Sequence, residues 1–176
     1  MKMINEPKWI VALAISFLTT GAIASDEETD SSAFIMSAVE DAAGGKQIMA
    51  GEYEAAADDI RKDGRQRYDA FARATNLCVS LTLSDKLDAA ESHCESAVQQ
   101  SRHPNHVYKV GADGRPNPSL SRAIALSNLG VLRALTGDLT AAQRHFERAA
   151  STSTKLDNPT HNMSRLLQIR SRTAKR

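Results

Sequence analysis

Five histidines, two cysteines and a few close acid pairs are the side chains of this 176-residue chain whose types could do chemistry. A metal centre would need three or four of them to converge. His93, His103, His106, His145 and His161 contain no His-x-x-x-His spacing, which sets two imidazoles on one helical turn. His103 and His106 share a loop, and the ordinary reading of all five is surface histidine. Asp58 and Asp59 are neighbours on a helix and point apart. No Gly-x-Ser-x-Gly turn presents a nucleophile. The residues therefore predict no enzyme, no metal and no cofactor. The one catalytic alternative is a site in the 102–117 loop, where His103, His106 or Tyr108 would have to meet a partner group that the sequence does not identify.

The elements that carry these side chains come in repeats. Gly51-Glu52-Tyr53-Glu54-Ala55-Ala56 aligns with Asp85-Lys86-Leu87-Asp88-Ala89-Ala90, and both align with Gly137-Asp138-Leu139-Thr140-Ala141-Ala142. They mark 34-residue units at 37–70, 71–104 and 123–156. Apolar residues recur at helical spacing and no stretch alternates apolar with polar, so an all-α fold of seven or so helices is expected. A 34-residue helix-turn-helix period predicts a repeat solenoid. Asp138 is placed to cap the helix that follows it. The second helix of the first unit is expected at 52–63, and its first helix is weak. Pro104, Gly111, Gly114, Pro116 and Pro118 break the chain between the second and third units, leaving a long loop over 102–117. Asn117-Pro118 restarts a helix. Asn158-Pro159 reads as an N-cap followed by proline at the first helical position. The basic segment 158–176 is then a capping helix, with Met163, Leu166, Leu167 and Ile169 on its apolar side.

The unit 123–156 resembles the tetratricopeptide repeat family, and the resemblance extends over roughly 37–156. That family takes small residues at repeat positions 8, 20 and 27 and bulky ones at 4, 7, 11, 17 and 24. Here these are Gly130, Ala142 and Ala149, then Leu126, Leu129, Arg133, Leu139 and Phe146. Arg133 stands where an aromatic or aliphatic residue is usual. The second unit departs at Cys78 and Cys94, and the first at Glu40 and Asp63. The resemblance implies a groove lined by the first helix of each repeat, and a protein or peptide as the partner held there. The lining would be Thr75, Asn76, Val79, Thr82 and Leu83, then Ile124, Ser127, Asn128, Val131, Ala134 and Leu135. Asn76 and Asn128 match asparagines that some members use against a terminal carboxylate. The basic residues such a clamp also needs are missing from the matching positions. The groove is neutral and mildly apolar, suited to an extended segment. Alternatively Val79, Leu83, Val131 and Leu135 are covered by the long loop or by the N-terminal segment.

The ends of the chain bear on location. Lys2 and Lys8, an apolar run from Trp9 to Leu18, and Ala22-Ile23-Ala24 form a signal peptide over 1–24, cleaved after Ala24. The run is too short to span a membrane. A periplasmic or secreted protein is expected, not inserted in a membrane after cleavage. Without 1–24, basic residues fall from 22 to 20 and acidic ones from 21 to 20, which disfavours nucleic acid as a partner. The acidic segment 25–36 and the basic 158–176 carry opposite charge. The export route makes a disulfide between Cys78 and Cys94 the expected state, at repeat positions 8 and 24, near the limit of reach. Two buried free thiols are the alternative. The function expected is protein binding, as a periplasmic adaptor or assembly module. The second reading is a self-associating structural protein joined head to tail by its charged ends.

Overall fold

A left-handed backbone conformation recurs at one point of each unit: Gly51 (φ 80°), Asp85 (φ 58°) and Gly137 (φ 86°). All three are the fifteenth residue of their 34-residue unit, so the alignment read from sequence is also an alignment of backbone geometry. Glycine enters this region without steric cost, and aspartate is among the few side chains that tolerate it. The turn reverses the chain and starts the second helix of the pair.

The computed structural model describes residues 34–63, 70–103 and 117–174. Within them lie seven helices: α1 (Gly45–Met49), α2 (Tyr53–Lys62), α3 (Ala70–Leu83), α4 (Leu87–Gln100), α5 (Pro118–Leu135), α6 (Leu139–Thr152) and α7 (Asn158–Thr173). No strand occurs among the described residues. The most extensive packing is within the pairs α3–α4 and α5–α6. The links α2–α3, α4–α5 and α6–α7 then stack one pair on the next. The fold is the all-α, repeat-like stack that the periodicity predicts. The segment expected to be a signal peptide and most of the 102–117 loop, including His106 and Tyr108, lie outside the described residues.

Local chemistry sets the ends. Asp138 caps α6, its Oδ1 accepting from the Ala141 N–H at 2.9 Å, and Asn117 caps α5 by accepting from Leu120 N–H at 3.0 Å. Two expectations at α7 are corrected. Asn158 is the first helical residue and Asp157 the N-cap, since the Asp157 carbonyl accepts the first helical bonds, from Thr160 and His161 N–H. The Asn158 amide donates to Ser37 Oγ at 2.8 Å. Leu167 lies on the outer face, 53% exposed, since the buried stripe of α7 runs through Pro159, Asn162 and Leu166. The first helix of the first unit is a single turn, α1, preceded by an extended stretch and a turn at 40–44.

Positions 8 and 24 meet in every unit. A Cβ added to Gly44 would come within 2.6 Å of Ile60 Cγ1, and one added to Gly130 within 2.5 Å of Phe146 Cε1. The middle unit puts Cys78 and Cys94 at this crossing, with Cα atoms 4.7 Å apart and sulfurs at 2.06 Å. The sequence places this pair near the limit of reach, but it falls well inside the range a disulfide spans. Arg133, the charged residue at an apolar position, is accounted for as well. Its guanidinium reaches Glu91 at 2.6 Å and Glu95 at 3.0 Å, tying α5 to the outer side of α4.

Candidate functional site

One side of the stack is lined by α3, α5 and α7, and the chain's own residues 34–39 run extended across it. Three asparagines hold this segment by its main chain. Asn162 on α7 accepts from Ile35 N–H and donates to Ile35 O, both at 2.8 Å. Asn128 on α5 accepts from Ser37 N–H at 2.9 Å and donates to Ser37 O at 2.8 Å. Asn76 on α3 accepts from Val39 N–H at 2.7 Å and donates to Val39 O and Ala43 O, both at 2.9 Å.

The geometry follows from two periods. In an extended chain, alternate residues direct N–H and C=O to the same edge, one set every ~6.7 Å. Each asparagine amide turns one acceptor and one of its two donors, in a plane, to the residue it holds, the complement that a residue of a neighbouring strand would offer. One asparagine per repeat therefore reads every second residue of the segment. The segment runs from α7 through α5 to α3, opposite to the helix order. All three asparagines are at most 1% exposed, so each bond replaces water that has been excluded, and each would be costly to leave unmade.

Side chains of the segment fill the spaces between the asparagines. Phe34 enters a pocket of Val131, Ala134, Phe146 and Leu166, its ring stacked on Phe146 with centroids 6.2 Å apart. Val39 joins the main core. Met36 and Ala38 pack on the small cluster of Ile48, Ala56 and Val79. Of the lining residues read from sequence, Thr75, Asn76, Val79, Ser127, Asn128 and Val131 are buried, and Leu83 and Leu135 are half-buried. The N-terminal segment thus covers the apolar lining, the alternative the sequence left open. The Thr75 hydroxyl is buried without a hydrogen-bond partner. The 34–39 segment also crosses position 36, where the sequence ends its acidic segment.

Asn162 was missed among the lining residues, although its signal is in the sequence. It follows Asn128 by 34 residues, as position 6 of a fourth unit begun by α7. The reading of α7 as a cap hid this equivalence.

His93 and His145, at repeat position 23 of successive units, do not join the groove. Burial holds both imidazoles below the ordinary histidine value. Arg61 and Arg73 add to this at His93. Arg148, Arg133 and Arg144 add to it at His145, against an opposing pull from Asp138. Among the described residues, no three histidine, cysteine or acidic side chains cluster to hold a metal ion. The depressed values have a consequence for stability. On acidification the unfolded chain takes up these protons first, near pH 6.5, so stability is full above that value and falls as pH drops through it. The denaturation midpoint is expected to fall between pH 7.5 and 5.5. A His93→Gln/His145→Gln variant should fall less, and an unchanged slope would remove these two residues as the cause.

Among the described residues, no helix is long and apolar enough to cross a membrane. Comparison of the chain with protein-family models, with curated proteins and with solved structures finds no match.

Proposed function

We propose that this chain is an exported protein-binding module of the tetratricopeptide type, an adaptor or assembly factor that holds an extended protein segment in its groove. The observation that carries this reading is the row of three asparagines. Their contacts go to main-chain N–H and C=O groups, which every polypeptide offers except at proline. Such a grip holds an extended backbone by its main chain and leaves side-chain preference to the pockets between the asparagines, and strand-like recognition gains affinity in this way. Export is supported by the basic, apolar and small-residue order of 1–24, and by a cysteine pair at bonding distance, which suits an oxidising compartment.

The test places a photo-crosslinking residue at Leu83 or Leu135, the two half-buried positions of the lining, in the full chain expressed with its N-terminus intact. Crosslinks to another protein should map to a short extended stretch of it, and should disappear in the Asn128→Ala variant if that variant keeps its helical content. Crosslinks that persist unchanged without Asn128 would place the partner elsewhere.

A further inference from the structure

Resting on the reading of the groove as a binding site, we propose that residues 34–37 are a built-in competitor for it. The ligand that displaces them is an extended partner segment carrying an aromatic residue, with a small polar residue three positions later. The seated segment is the template. Phe34 is 5% exposed in its pocket, while Ile35 is 40% exposed and places no demand on its side chain. Ser37 is held by its main chain on Asn128, and its hydroxyl accepts from Asn158. An aromatic side chain, one free position, an apolar side chain such as Met36, which packs on the clusters beneath it, and a small hydroxyl residue therefore describe what the α5–α7 half of the groove selects.

The two halves of the segment are not tied down equally. Val39 is next to the 40–44 turn, and Asn76 binds both Val39 and Ala43, so this end is local and anchored. The contacts of Ile35 with Asn162 and of Ser37 with Asn128 close loops of 127 and 91 residues and are only part-buried. Local opening starts where a stretch is held by few contacts. The Phe34 end peels first and Val39 serves as the hinge. A ligand in trans must wait for this opening, and its apparent affinity is reduced by the open fraction. Loosening the cis segment raises that fraction and hence the affinity.

The probe is a fluorescent peptide copying residues 32–38, Ser-Ala-Phe-Ile-Met-Ser-Ala, titrated onto the full chain. Two loosened variants are compared with the parent: Phe34→Ala, which empties the pocket, and Ile35→Pro, which removes the N–H given to Asn162. Helical content is checked in each. Either variant that remains folded should bind the peptide about tenfold or more tightly than the parent. That gain should be lost when Asn162→Ala is added, and also when the peptide carries alanine in place of its phenylalanine. Equal affinity for parent and loosened variants would overturn the proposal, as would binding that survives Asn162→Ala. Dimers of the loosened variants with no peptide uptake would also overturn it, giving the groove to a second copy. If groove crosslinks to a partner are found while the peptide gains nothing, the binding module stands and the competitor falls. If both fail, the groove itself is not a binding site.

Discussion

Asn76→Ala is expected to lower the stability of the folded chain by about 3–5 kcal/mol, more than alanine at any other polar residue of the groove. The truncation removes three hydrogen bonds, to Val39 N–H, Val39 O and Ala43 O. It leaves those groups in a region where Val39 is 1% exposed, and an unmade buried hydrogen bond costs roughly 1–3 kcal/mol. Asn76→Asp should be at least as damaging. One carboxylate oxygen still accepts from Val39 N–H, but the other then faces two carbonyl oxygens, and the charge is buried without a partner. Asn162→Ala should cost less, about 1–2 kcal/mol, because its two bonds to the segment both go to Ile35 and are part-buried. Urea denaturation of the three variants checks the order. A loss under about 1 kcal/mol for Asn76→Ala would mean that the segment is not held by the ladder.

That ladder also marks the boundary of what the sequence discloses. The repeat period, the turns at 51, 85 and 137, and the caps at Asn117 and Asp138 are local signals, each written within a few residues, and all could be read directly. Asn76 and Asn128 could be placed on the lining because position in a repeat fixes the face of a helix. What occupies that lining could not be read. The 34–39 segment has no period of its own, and its partners are 37, 91 and 127 residues away. Nothing in Phe-Ile-Met-Ser-Ala-Val announces an extended conformation held by side-chain amides. Arg133 shows the same limit. Its departure from an apolar position was visible, but the reason, Glu91 and Glu95 on the neighbouring helix, is a matter of how two units stack.

Cys78 and Cys94 give the second large effect. With both thiols exposed only after reduction, the oxidised protein is expected to be about 3 kcal/mol more stable than the Cys78→Ser/Cys94→Ser variant. A bridge across 16 residues removes about that much loop entropy from the unfolded chain. The crossing of positions 8 and 24 lies at the centre of the α3–α4 pair, and both residues are fully buried. Serine there also leaves two hydroxyls without water, adding to the loss. The other units suggest a repair that uses no covalent bond, because they fill the same crossing with Gly44 against Ile60 and Gly130 against Phe146. Cys78→Gly with Cys94→Phe should therefore recover part of the stability lost in the serine pair. It should fall short of the parent, since glycine inside α3 costs roughly 1 kcal/mol and no cross-link constrains the unfolded state. Denaturation with and without a reductant separates the contributions: the parent midpoint should drop on reduction, and those of both double variants should not move. If reductant leaves the parent unmoved, and its thiols alkylate without prior reduction, the pair is a buried apolar contact and not a bond.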